Sequence, residues 1–314
     1  MNKIVSSILA IAMLFSLTAC GGNAASNSDK IEAAAQSKSD NDDVNNLAQS
    51  KNDTKADTGR ENEITFTEVV AVDNDECSIK ITGVNADKLK GFTLKALLEN
   101  KSTEKTYMFS VESAAINGVK CDPFFASEVA AGKKSNNEIR FSGDNLEENG
   151  VGDYTDIELT FRVYDTNDWM ADPVAKETVH IYPYGEDKAV KFVRESQPND
   201  NIIIDNEFVT VIVTGYENDK IWGYTVNMFL LNKTDKDIMF SVDDASINGF
   251  MADPFYATTV PADKCAFSSM SWSNSTLEDN DISSVEEIEF KMRAYDSNDW
   301  LSEDFANEVV ILNP

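Results

Sequence analysis

The chain has 314 residues, with 55 acidic against 27 basic side chains and a net charge of −28. That balance repels the phosphates of nucleic acid and of anionic lipid headgroups, so neither is expected as a charge-driven partner. An apolar share of 42% suffices for folded cores and the length suggests about two domains, while a single His excludes a Ser-His-Asp arrangement in each half and any multi-His metal site.

The N-terminus reads as an address. After Lys3, the segment 4–17 is an apolar run of 14 residues, too short to span a bilayer but suited to a signal-peptide core. It ends in Leu17-Thr18-Ala19-Cys20, followed by Gly21-Gly22. This resembles the lipobox of bacterial lipoproteins, L-x-[AGS]-C. The resemblance implies that 1–19 is removed, that the Cys20 thiol carries a diacylglycerol, and that acyl chains of the palmitate kind anchor the protein in a membrane. The folded part would then face the extracellular or periplasmic side. Each buried methylene adds about 0.8 kcal/mol to such an anchor.

Residues 20–62 comprise the lipidated Cys and a tether. The stretch is rich in Asn, Ser, Ala, Asp and Lys, with Ile31, Val44 and Leu47 as its large aliphatics. Such a composition does not bury enough surface to offset ordering entropy. As a flexible coil it has a reach of roughly 35 Å.

From residue 63 the chain is one pattern written twice. Met108-Phe109-Ser110-Val111 recurs as Met239-Phe240-Ser241-Val242. Ile116-Asn117-Gly118 recurs as Ile247-Asn248-Gly249, Asp122-Pro123-Phe124 as Asp253-Pro254-Phe255, and Asp165-x-Asn167-Asp168-Trp169 as Asp296-x-Asn298-Asp299-Trp300. The offset is 131 residues here and 132 upstream, where Gly83 matches Gly215. A period this long means a duplicated domain. Within each copy the period is two: Ile157, Leu159, Phe161 and Val163 alternate with Glu158, Thr160, Arg162 and Tyr164. That alternation marks half-buried strands. Asn117-Gly118 and Asn248-Gly249 read as tight turns. Strands are expected over 64–72, 76–84, 91–99, 107–116, 137–142, 155–165 and 177–182, with a helical turn near 144–150. About seven short antiparallel strands per copy predict an all-β chain of two tandem Ig-like β-sandwiches, repeat 1 over 63–183 and repeat 2 over 201–314. The connector 184–200 reads as linker or as part of the next first strand.

Lipobox, polar tether and repeats carrying ING, DPF and YDxNDW together resemble lipoproteins of Gram-positive anaerobic bacteria. The resemblance covers nearly the whole chain. It implies location and fold, and brings no activity with it.

Four sets of residues are candidates for chemistry. Asp165, Asn167 and Asp168, with Asp296, Asn298 and Asp299, crowd oxygen atoms on short loops and suit calcium, a hard cation that takes six to eight oxygens. The spacing is not that of an EF-hand, since the twelfth positions are Lys176 and Asn307. The same residues also suit a turn in which Asp and Asn cap backbone N–H groups and Trp packs on the domain edge. Phe125 and Tyr256, after the DPF turns, and Tyr164 and Tyr295 on the strands could meet a protein or glycan ligand; one aromatic of each DPF pair is expected in the core and the other outside. Cys77 and Cys121, both confined to the first copy, either form a disulfide or stand as separate small thiols. Acidic pairs such as Glu147-Glu148 and Glu286-Glu287 carry no mark of a cleft, and no nucleophile motif or phosphate loop is present, so no enzyme is expected. The role expected is non-catalytic binding or structure at the cell surface, with solute or glycan capture beside a transporter or polysaccharide system as the alternative.

Overall fold

In the computed structural model the described residues are 64–87, 91–141, 144–219 and 223–314. The signal segment, the tether and Cys20 lie outside them. The described residues all belong to one compact unit, Gly59–Pro314.

The unit is predominantly β. In the first repeat the strands are β1 (Val69–Asp73), β2 (Cys77–Asp87), β3 (Gly91–Asn100), β4 (Tyr107–Ile116), β5 (Val119–Cys121), β6 (Ala126–Val129), β7 (Lys134–Phe141), β8 (Ile157–Asp165) and β9 (Ala175–Ile181), with a short helix α1 (Asp144–Glu148). The second repeat matches them in order: β10 (Asn201–Asp205), β11 (Val209–Asp219), β12 (Gly223–Asn232), β13 (Ile238–Ile247), β14 (Phe250–Met251), β15 (Ala257–Val260), β16 (Cys265–Trp272), β17 (Ile288–Asp296) and β18 (Ala306–Leu312), with α2 (Asn274–Asp279). Each repeat thus has nine strands where seven were expected. The extra ones, β5, β6, β14 and β15, are two to four residues long and show no period of their own.

Three sheets result. The first runs β1-β2-β3-β7. The second runs β10-β11-β12-β16-β5-β4-β8-β9, with β6 also on β4. The third runs β14-β13-β17-β18, with β15 also on β13. The alternating residues turn one face of each sheet inward. Ile79, Ile81, Leu94 and Leu98 from the first sheet share a buried core with Phe109, Leu159, Phe161 and Val163 from the second. Val211, Met228 and Leu230 share another with Phe240, Phe290 and Met292. Full burial of one such side chain contributes roughly 1.5–3 kcal/mol. Gly83 and Gly215 fall at matching register shifts in β2 and β11, where an extra residue bends the strand.

The two repeats are joined by a strand pairing. Cys265 of β16 lies parallel to Val119 of β5, and its N–H donates to the Gly118 carbonyl at 3.0 Å. The connector contains a 3-10 turn, Glu186–Lys188, and no strand. It is bound on both sides. The Phe192 N–H donates to the Asn117 carbonyl at 2.7 Å, and the Phe192 ring lies 5.9 Å from that of Phe267. Arg194 grips Asp200 through two bonds of 2.7 Å, both side chains nearly buried.

Candidate functional site: the repeated aromatic loops

The direction of the DPF loops is set by the Asn-Gly turns that precede them. Asn117 and Gly118 have φ of 53° and 83°, and Asn248 and Gly249 have 51° and 79°. Two successive positive φ values make the tight hairpin turn that this dipeptide favours. The Asn side chains do more than tolerate the turn. Asn117 donates to the Asp153 carbonyl at 2.8 Å, and its oxygen accepts from Thr155 N–H, Thr155 hydroxyl and Asp156 N–H. Asn248 repeats this with the Ser284 carbonyl and the Glu286 and Glu287 N–H groups.

After β5 the chain turns through Asp122-Pro123. Phe125 O accepts from Val111 N–H at 3.3 Å, and Ala126 then pairs with Ser110. Phe125 is thereby turned inward, 8% exposed, and Phe124 outward, 95% exposed. In the second repeat Phe255 is the outward residue, 88% exposed, and Tyr256 the inward one. Burial pushes the Tyr256 phenol far above its usual range, against a smaller opposing effect of the Ser268 hydroxyl. Phe125 and Tyr256 are therefore the inward members of their pairs, and Phe124 and Phe255 the ones open to solvent. Which of two adjacent aromatics faces out depends on a four-residue strand whose register the sequence does not declare.

The DxNDW loops leave the ends of β8 and β17. The Asp165 carboxylate accepts from Asn167 N–H at 2.9 Å, its carbonyl accepts from Asp168 N–H at 3.1 Å, and Lys105 Nζ lies 3.5 Å from Oδ2. Asp296 accepts from Asn298 and Asp299 in the same way, and Lys236 Nζ donates to it at 2.8 Å. That lysine holds the Asp296 carboxyl below the usual carboxylate range, helped by the Asn298 N–H. The leading Asp of each motif is thus engaged by the turn and by a lysine. Among the described residues, no group of three or more His, Cys, Asp or Glu is placed to hold a metal ion.

The tryptophans depart from expectation. Trp169 and Trp300 do not pack on the domain edge; they are 63% and 69% exposed, and the next residues, Met170 and Leu301, are 80% and 77% exposed. Arg162 holds the first loop by donating to the Trp169 carbonyl at 3.1 Å. Tyr164 and Tyr295 are half-buried and carry an arginine on the ring: Arg162 Cζ stands 4.5 Å from the first centroid and Arg293 Cζ 4.9 Å from the second. One face of each tyrosine is therefore taken.

The disulfide is not formed. Cys77, Cys121 and Cys265 are free thiols, and Cys77 and Cys121 stand on different sheets. Burial pushes the Cys77 and Cys265 thiols up to about 11 and that of Cys121 to about 12. His180 lies beside carboxylates, Nδ1 being 2.8 Å from Asp156 and Nε2 3.4 Å from Glu158.

Comparisons with known proteins give little beyond this geometry. No family model matches the chain, and no curated protein does. Among solved structures, red sea bream transglutaminase matches over 77% of this chain and 31% of its own, at 11% identity and a TM-score of 0.24. The Salmonella enterica SafA pilin in complex with the SafB chaperone matches over 77% of this chain and 99% of its own, at 10% identity and a TM-score of 0.22. Both scores are too low to bear an argument.

Proposed function

We propose that this is a lipid-anchored protein of the cell surface whose two Ig-like sandwiches bind a protein or glycan without catalysis. One observation carries the reading. At equivalent positions both repeats present the same exposed apolar residues, Phe124 with Phe255 and Trp169-Met170 with Trp300-Leu301. Scattered exposed apolar residues are ordinary, but large ones at the same places in two diverged copies fit a contact used twice. Aromatic anchors supply much of the energy of such contacts, and two linked sites gain from effective concentration. The lipobox at Cys20 supports the anchor, and the two-sheet cores support the sandwich assignment. The acidity supports a module held off an anionic membrane: the folded part holds 47 acids against 21 bases.

The test has two arms. Cells fed labelled palmitate should incorporate it into the chain, and Cys20→Ala should abolish both label and membrane retention; an unlabelled wild type would end the anchoring reading. On glycan arrays and on cell surfaces, Trp169→Ala/Trp300→Ala should lose at least tenfold in binding while melting as the wild type does. Unchanged binding by that variant would discard the aromatic loops.

A further inference from the structure

At both Trp loops the backbone makes a second turn directly after the one that engages the leading Asp. Ala171 N–H donates to the Asp168 carbonyl at 3.2 Å, and Ser302 N–H to the Asp299 carbonyl at 3.0 Å. Trp169-Met170 and Trp300-Leu301 are therefore the two corner residues of their turns. Turn chemistry favours Gly, Pro, Asn, Asp or Ser at corners. It gives no reason for a Trp beside a large aliphatic, and all four side chains are exposed.

Carboxylates bracket each pair. Asp168 and Asp172 stand on either side of Trp169-Met170, and Asp299 and Glu303 on either side of Trp300-Leu301. All four acids are exposed, and among the described residues none of their carboxylates makes a hydrogen bond or an ion pair. The bases at the foot of the loops are committed elsewhere. Lys105 lies against Asp165, Lys236 against Asp296, Arg293 against Asp304, and Arg162 against the Trp169 carbonyl and the Tyr164 ring. Between the copies Met170 becomes Leu301 and Asp172 becomes Glu303, so the side chain changes while its chemical class stays. A few residues on, the class itself changes: Lys176 corresponds to Asn307, Thr178 to Val309 and His180 to Ile311.

We propose that each Trp loop takes a basic segment of a partner protein, one that presents Lys or Arg beside aliphatic side chains. This rests on the reading of the loops as contacts and names what meets them. The Trp ring attracts an ammonium or guanidinium group to its face. Met170 or Leu301 covers the neighbouring aliphatic, and the bracketing carboxylates pair with further cations. A neutral glycan would leave those carboxylates without partners, and an acidic one would be repelled. The net charge of −28 steers a basic partner toward the chain.

Immobilised peptide and glycan arrays probed with the full chain in neutral detergent test this. The chain should hold peptides of mixed Lys and Leu roughly tenfold or more tighter than peptides of Lys and Ser or of Glu and Leu, and should leave neutral and acidic glycans unbound. Asp168→Asn/Asp172→Asn/Asp299→Asn/Glu303→Gln should weaken the hold on Lys-Leu peptides at least tenfold, at roughly twofold to fivefold per lost charge pair. Glu147→Gln/Glu148→Gln/Glu286→Gln/Glu287→Gln, which removes the same charge away from the loops, should change it less than about twofold. All variants should melt as the wild type does. Trp-dependent binding of glycans but not of basic peptides, indifference to the four loop neutralisations, or an equal loss in the distant variant would overturn the basic partner and leave the loops as contacts. Wild-type binding by Trp169→Ala/Trp300→Ala would overturn the contact reading itself, and this proposal with it.

Discussion

At the scale of the residue, asparagines do most of the fastening. Besides Asn117 and Asn248, Asn100 donates to the Lys105 and Val129 carbonyls and accepts from Ser102 N–H, and Asn232 repeats this on Lys236, Val260 and Thr234. All three amide functions are used, which neither Asp nor Leu of similar size reproduces. Asn117→Ala removes the bonds to the Asp153 carbonyl, the Thr155 N–H and hydroxyl and the Asp156 N–H, and places Ala at positive φ. It should cost about 2–3 kcal/mol in urea unfolding, and Asn248→Ala, at a less buried site, should cost less. The thiols give a second outcome. Thiolate is the attacking species, so at pH 8 a thiol with a pKa near 11 is ionised to about one part in a thousand. Cys77 and Cys265 should resist alkylation in the native protein and react at once in denaturant; fast native labelling would contradict their burial. The Asn-Gly turns are legible in the sequence because the dipeptide itself forces positive φ. Asn100 and Asn232 are not, because the Val129 and Val260 carbonyls they hold lie 29 and 28 residues away.

At the scale of the element, tight backbone approach decides. Gly223 opens β12 with φ of 97°, and a Cβ there would fall 2.0 Å from the Trp272 carbonyl of β16. Gly223→Ala should therefore destabilise by about 3 kcal/mol or more, read by thermal melting. Gly215→Ala, at a bulge with open space around the site, should be nearly neutral by comparison. Long strands are readable from their period of two, and the expected strand 107–116 matches β4 to the residue. The short strands are not, because two to four residues carry no periodicity; their pairing with β4 and β13 is set by the turns before them. The same lack of periodicity makes Phe125 and Phe124 equivalent in the sequence, although only Phe124 faces out.

At the scale of the molecule, the repeat is plain in the sequence, but the fusion of two repeats into one nine-stranded sheet is not. It rests on a single pairing, Cys265 with Val119, between residues that share no local pattern. The connector ion pair makes this junction sensitive to acid. Asp200 is held below the usual carboxylate range by its hydrogen bonds from Arg194, helped by the Gln197 N–H. A carboxyl depressed in the folded state stabilises above its unfolded value of about 3.9 and loses that contribution as pH falls through the folded value. Stability should be flat from pH 8 to 5 in respect of this pair and fall below about pH 4. Arg194→Gln should shift the acid midpoint upward in a fluorescence titration; an unmoved midpoint would show that other carboxylates govern it.

The same junction decides how the chain answers a pull. Tension applied between the start of the first repeat and the end of the second reaches the link between β5 and β16 before it must break the long ladders inside either repeat. That link holds one paired residue, one ion pair and a small apolar contact made by Phe229 and Cys265 on the first core, whereas β11 and β12 are paired along their full lengths. It should part first, and the connector 184–200 then releases roughly 55 Å of slack at full extension. In single-molecule stretching the first event would be a short step that uncovers Phe229 and Cys265, after which the strand ladders of both repeats remain paired: the junction is a mechanical fuse that lengthens the chain before either repeat unravels.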